Sequence, residues 1–200
     1  MLRNRSLNFE NVSKTNETKA RKDAVFNDEL LPHADALYSF AYNLTYREED
    51  ARDLVQETFL KAYRFIDSYE QGTNAKAWLF KILKNAFINE YRKRSKQPSR
   101  VELEDTTGYH DQDEAGTTEF IDLRHELFQD MIGDEVMSAL NSLPVDFRTV
   151  ILLCDVEEFS YEEIARIVDI PIGTVRSRLH RARGMLQERL QEYAKAYGYK

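Results

Sequence analysis

The patterning of the 200-residue sequence predicts an all-α protein: two small helical domains joined by a flexible acidic linker. Three observations lead there. Seven Gly and four Pro leave little material for the many tight turns of a sandwich or barrel, so long elements with few joints are expected. Apolar residues recur every three or four positions on both sides of the chain's middle. Between those stretches, from Ser95 to Ile132, ten acids face three bases (Lys96, Arg100, Arg124) in a segment with Pro98, Gly108, Gly116 and no sustained period. The expected boundaries are a disordered tail at 1–23, a first domain at 24–95, the linker at 96–131, a second domain at 132–193 and a short tail at 194–200.

In the first domain, Phe26, Leu30, Leu37, Phe40 and Ala41 share a helical spacing, and Ala51, Leu54, Val55, Thr58, Phe59 and Ala62 repeat it. A third helix begins near Ala75, with Trp78, Ile82, Leu83, Ala86 and Phe87 on one stripe and lysines opposite. In the second domain, Val136, Ala139, Leu140 and Leu143 form one stripe, and Pro144 opens a helix carrying Phe147, Val150, Ile151 and Cys154. Ser160 followed by Glu162 and Glu163 reads as a cap and first turn, with Tyr161, Ile164, Ala165 and Val168 on one face. A proline in DIPI (169–172) stops that helix, and Thr174 is a natural cap for a further one buried through Val175, Leu179, Ala182 and Leu186.

The last two helices and their tight turn describe a helix-turn-helix, whose outer face holds Gly173, Ser177, His180, Arg181 and Gly184, with Thr174, Arg176 and Arg178 on its shoulders. Arginine reads guanine O6 and N7 in a major groove, and Ser or His can hydrogen-bond other base edges. An amphipathic hairpin with outward arginines also occurs in helical proteins that never touch DNA, so the motif alone leaves both readings open. A net charge of −7 argues against a nucleic-acid partner only as an average. Seven bases against one acid fall between Lys76 and Lys96, and five arginines against Glu188 between Arg176 and Arg189. Near the first patch lie Tyr69, Asn74, Trp78 and Asn85; rings among cations suit unstacked single-stranded bases. Trp78 and Phe87 are better placed as core, which leaves Tyr69 and Asn85 as the stronger candidates for base contact.

Other classes are disfavoured. The longest apolar run, Val150 to Cys154, is far short of the ~20 residues of a membrane span, and the first 23 residues lack the apolar stretch of a signal peptide. No membrane insertion and a cytoplasmic setting are expected. The lone Cys154 reads as a small buried hydrophobe. Carboxylates at 48, 49, 50, 53 and 57 lack the Glu-x-x-His pairs of a helical di-metal site, and His33, His110, His125 and His180 are scattered. With no phosphate loop or nucleophile motif, neither catalysis nor a metal or cofactor is expected.

Three segments in this order, EEDARDLVQETFLKAYRFI (48–66), AWLFKILKNAFINEYRKR (77–94) and LNSLPVDFRTVILLCDVEEFSYEEIARIVDIPIGTVRSRLHRAR (140–183), resemble bacterial sigma factors of the extracytoplasmic-function (ECF) class. The resemblance implies a region 2 bundle, a region 4 helix-turn-helix, core RNA polymerase and promoter DNA as partners, and an anti-sigma protein as regulator. It implies that Asp53, Gln56 and Glu57 contact the polymerase clamp; a merely solvated acidic face is the alternative. Tyr69, Asn74, Trp78 and Asn85 would capture a flipped promoter base, and Lys81, Lys84 and Arg92 would hold the melted strand's phosphates. Arg176, Ser177, His180 and Arg181 would read the farther element as duplex, with Thr174 and Arg178 on phosphate. The linker would follow the path of nascent RNA or serve as a plain tether. A stand-alone helix-turn-helix regulator accounts for 160–186 but not for the aromatic, lysine-rich helix.

Overall fold

The structure, a computed structural model, describes residues 18–96 and 134–196, and every regular element among them is helical. The first seventeen residues, the last four and 97–133, which include all of the expected linker but Lys96, lie outside the described residues, and so does the linker's suggested RNA path; Lys96 and residues 194–196, expected in the linker and the tail, are helical.

The first unit opens with α1 (18–25), which continues through a wider turn, Phe26–Leu30, and a short 3-10 turn, Leu31–His33, containing Pro32. Residues 18–23, expected to be part of a disordered tail, are therefore helical. Helix α2 (Ala34–Thr45) stops where Tyr46 takes a left-handed conformation, φ 56°, and returns its N–H to the Tyr42 carbonyl at 2.7 Å. Helix α3 (Glu48–Arg64) starts on Glu48, Glu49 and Asp50, negative charges that complement the exposed N–H groups of a helix start. It buries Ala51, Leu54, Thr58 and Ala62, and the hydroxyl of Thr58 is satisfied by the Leu54 carbonyl at 2.7 Å. Helix α4 (Ala75–Lys96) packs on α2 and α3, with the Phe40 and Phe80 rings 5.0 Å apart at the centre. At its far end Arg94 grips Asp50 with two 3.0 Å bonds, which pulls the Asp50 carboxyl below its usual range.

The second unit comprises α5 (Asp134–Asn141), α6 (Val145–Ile151), α7 (Tyr161–Val168) and α8 (Ile172–Ala196). Pro144 precedes α6, and its carbonyl accepts from Phe147 and Arg148. Ser160 and Glu163 form a reciprocal capping box at the start of α7. Asp169, at φ 59°, ends α7 in the left-handed region. Helix α8 begins at Ile172 rather than at Thr174, because the Pro171 carbonyl accepts from Thr174 at 2.8 Å and Val175 at 3.1 Å. Thr174 therefore lies inside the first turn and does not cap it.

The two units are packed together. Helix α7 lies against α4, and the Phe80 and Phe159 rings meet edge to face at 5.1 Å, so one apolar core continues from the first unit into the second. The amphipathic stripe expected on α4 understates its burial. Leu79, Phe80 and Leu83 are fully covered while Trp78 and Ile82 are half-buried, because α4 has helices on more than one side. Among the described residues no helix is long and apolar enough to cross a membrane.

Two substitutions separate packing from capping. Phe40→Ala empties a site in the three-helix core and is expected to cost about 3–5 kcal/mol, whereas Ser160→Ala removes one cap and is expected to cost about 1 kcal/mol. Urea denaturation checks both, through a lowered midpoint at unchanged slope.

Candidate nucleic-acid interface

Helix α4 and the start of α8 face each other across a cleft of about 1050 Å³. From α4 come Lys81, Lys84, Asn85 and Arg92; from the second unit come Thr174, Ser177, Arg178 and Arg181. Most of the residues expected to touch a melted strand and most of those expected to read a duplex thus line one space. Arg176 and His180 are exposed on α8 but do not line it.

These side chains are not equally available. Asn85 is exposed at the cleft, its Oδ1 accepting from the Lys84 ammonium at 3.0 Å. Lys84 is only 9% exposed, and burial lowers its pKa while Asp169 and Asp146 oppose the shift. In this packing Lys84 is covered by protein and does not offer its charge to a phosphate, in contrast to the exposed Lys81 and Arg92. Arg178 donates to Asp146 at 2.9 Å, an ion pair that a phosphate would have to displace. Arg183 makes a similar pair with Asp155 at 2.6 Å, which holds its charge firmly.

The loop between α3 and α4 differs most from expectation. Tyr69 is 8% exposed; its ring lies 5.1 Å from that of Trp78, and its hydroxyl donates to Glu29 at 2.6 Å. That ring faces inward, and it is not presented to a base in this arrangement. Burial, reinforced by the Glu29 carboxylate, pushes the Tyr69 phenol up to about 12, so it remains a proton donor at neutral pH. Trp78 is half-buried behind it. Asn74 is occupied twice: its Oδ1 caps α4 at the Ala77 N–H, 2.9 Å, and its Nδ2 donates to Glu163 of α7 at 2.6 Å. Of the four residues expected to capture a base, Asn85 is the one with an open approach.

On the far side of the first unit, Asp53, Gln56 and Glu57 are all exposed on α3, opposite its buried stripe, with Glu57 paired to Lys61 at 2.6 Å. The same outward face continues into Leu60, 66% exposed, which sequence reasoning passed over although it lies four residues beyond Gln56.

Also missed was the seam that joins the two units. Lys76 of α4 reaches Glu157 of the second unit, its ammonium 3.0 Å from both a carboxylate oxygen and the Glu157 carbonyl. It lies 5.5 Å from the Phe80 ring centre and 5.0 Å from that of Phe159. A second crossing places the buried Arg148 guanidinium of α6 over the Tyr46 ring at 5.1 Å. Glu157 is only 8% exposed, and burial raises its pKa, opposed by Lys76 and helped by Glu158.

Comparison with known proteins gives two family matches, Sigma-70 region 2 over residues 31–97 and Sigma-70 region 4 over 133–186. Similar curated proteins include the ECF RNA polymerase sigma factor SigE of Mycolicibacterium smegmatis, 37% identical over 84% of this chain and 62% of that longer protein. Another is the ECF RNA polymerase sigma factor EcfG of Rhodopseudomonas palustris, 38% identical over 80% of this chain and 81% of that one. Among solved structures, the co-crystal of the sigma factor RpoE with the anti-sigma factor NepR from Bartonella quintana aligns at TM-score 0.64 and 39% identity, covering 84% and 98% of the chains. The complex of CnrH with the cytosolic domain of CnrY aligns at TM-score 0.59 and 25% identity, covering 85% and 90%.

The seam makes the packing of the two units depend on pH. Glu157 binds its proton more tightly when packed than when exposed, so packing is strongest below the ordinary carboxylate pKa and weakens as pH rises through the raised one. Small-angle scattering should show a radius of gyration that grows with pH in that window, and Glu157→Gln should abolish the growth. Lys76→Ala leaves the buried carboxylate unpaired and should expand the molecule at neutral pH. Its cost is about 1–3 kcal/mol, less than for a fully buried pair because the Lys76 side chain keeps 30% of its surface in water.

Proposed function

The chain belongs to the ECF class of the sigma-70 family, and from that premise we propose that it binds core RNA polymerase and directs initiation at promoters carrying two short upstream elements. The observation that carries this reading is the pairing of Asn85 on α4 with the exposed base-reading residues at the start of α8, two kinds of nucleic-acid surface on one chain.

Each surface has its own chemistry. The first turns of α8 enter a major groove, where Arg176 and Arg181 supply bidentate donors for guanine and Ser177 and His180 serve other edges. Thr174 and, once released from Asp146, Arg178 hold the flanking phosphates. Asn85 offers a carbonyl and an amide to one base of the nearer element after that base leaves its stack, while Lys81 and Arg92 follow the displaced strand. Strand separation is driven by trapping unpaired bases, with no covalent step and no catalytic group from this chain. Asp53, Gln56 and Glu57, with Leu60, form the face that docks on polymerase. Thr174, Ser177, Arg178 and Arg181 line a cleft walled on its other side by α4, so a duplex cannot reach all the reading residues at once in the packed arrangement. Binding polymerase therefore parts the two units. An anti-sigma protein is the expected regulator, as the similar sigma factor RpoE of Bartonella quintana was solved with one.

Run-off transcription from a pooled genomic library, with core polymerase and with or without this protein, tests the reading. New RNA starts sharing two upstream motifs at a fixed spacing are expected. No new starts, together with tight duplex binding by the protein alone, would point to a stand-alone regulator. Arg181→Ala should cost roughly 1–3 kcal/mol and blur one position of the farther motif. Asn85→Ala should leave initial duplex binding intact and slow opening, read as permanganate reactivity of the melted thymines.

A further inference from the structure

Residues 18–30 are strapped to the end of α3 and the segment joining it to α4 by three side chains, Lys22, Asp23 and Glu29, that make four bonds of long sequence separation. Lys22 reaches Asp67 at 2.6 Å, Asp23 accepts from the Tyr63 hydroxyl at 2.7 Å, and Glu29 accepts from both the Tyr69 hydroxyl, 2.6 Å, and the Gly72 N–H, 3.0 Å. The Glu29 contact differs in kind, because one carboxylate oxygen fixes a side chain and a backbone group on either side of a tight turn. Gly72 sits there at φ 77°, a conformation that leaves its N–H turned in toward the strap. Through Tyr69 the carboxylate also sets the Trp78 ring, and through the turn it sets Asn74, which caps α4. Two acceptor bonds to neighbouring groups hold Glu29 ionised below its usual range. Glu29 lies upstream of the region 2 match, which begins at residue 31.

We propose that Glu29 is the positioning residue for strand capture: it locks the 69–74 loop and the start of α4, so that Asn85 meets the flipped base in one fixed geometry. This rests on the function proposed above and deepens it. The two ends of the loop are also held by groups other than Glu29, Tyr69 by the Trp78 ring and Asn74 by Ala77 and Glu163; between those ends Glu29 reaches Gly72, while the Thr73 hydroxyl donates to the Glu70 carbonyl at 2.6 Å. The loop's internal backbone bonds are those of Thr73 to Glu70, 3.2 Å, and Ala75 to Thr73, 3.0 Å, and the Tyr69 hydroxyl has as its other acceptor only the Thr73 carbonyl at 3.3 Å. Removing the carboxylate leaves Tyr69 half-satisfied and the Gly72 N–H without its partner, and the loop gains alternatives. The face on α3 and the reading turns of α8 share no contact with Glu29, so polymerase docking and duplex reading are untouched.

The test uses reconstituted holoenzyme carrying Glu29→Ala, Glu29→Gln, Tyr69→Phe or the Glu29→Ala, Tyr69→Phe pair. It reads opening rate, base preference at each position of the nearer element on a pre-opened template, affinity for core polymerase and thermal midpoint. Glu29→Ala should slow opening roughly tenfold or more and flatten base preference at one position, with polymerase affinity and thermal midpoint near those of the parent. Glu29→Gln, which keeps an acceptor oxygen at the same place, should recover most of both. The double variant should be no worse than Glu29→Ala, because both act through one contact. Parent-like opening and base preference in Glu29→Ala would overturn the proposal, and so would losses of opening, polymerase affinity and thermal midpoint in parallel. Failure of the parent holoenzyme to start at any promoter would instead overturn the function on which the proposal rests.

Discussion

The Lys76 ammonium lies between two aromatic rings and a carboxylate supplied from opposite halves of the molecule, and that carboxylate, Glu157, has been largely removed from water. A charged Glu157 is tolerable there only while Lys76 faces it, and Lys76 in turn lies against Phe80 and Phe159, the two rings through which the halves meet. Closing the seam brings α4 opposite the start of α8, which is why surfaces suited to a melted strand and to a duplex share one cleft. A buried ion pair is a poor source of net stability compared with an apolar contact of the same size, which suits a junction that opens as proposed.

Charge distribution follows the same division of labour. A chain with net charge −7 does not bind nucleic acid by its average, but its bases are concentrated on two helices that face each other. Several of those bases have an internal acid in the packed state: Arg178 holds Asp146, Arg183 holds Asp155, and Lys84 feels Asp169 and Asp146 across the cleft. Those acids lower the cost of bringing two positive surfaces together. They also set a threshold for DNA, whose phosphates have to outcompete them.

What could be read from the sequence was what depends on local spacing. The buried stripe of α8 through Val175, Leu179 and Ala182, the cap at Ser160 and the outward face of Asp53, Gln56 and Glu57 all follow from a 3.6-residue period and nearby polar groups. What escaped depended on partners far along the chain. Tyr69 looks like a free ring on a loop until Glu29, forty residues earlier, takes its hydroxyl. Asn74 looks like a base contact until the start of α4 and Glu163 occupy both ends of its amide. Phe80 falls outside the expected stripe of α4 because it packs between Phe40 of α2 and Phe159 in the other half. Residues 18–23 carry too few apolar groups to predict a helix, and their order comes from contacts such as Lys22 with Asp67. Each of these misses is a tertiary contact overriding a correct local rule.

On the proposed function, the two nucleic-acid surfaces lie against each other in the free chain and are parted when the promoter is read. Single-molecule energy transfer between dyes on the exposed faces of α4 and α8 addresses it directly, recorded for the protein alone and for its complex with core polymerase and promoter. A short separation in the free protein and a long one in the complex is the predicted result. The same separation in both states would contradict the account.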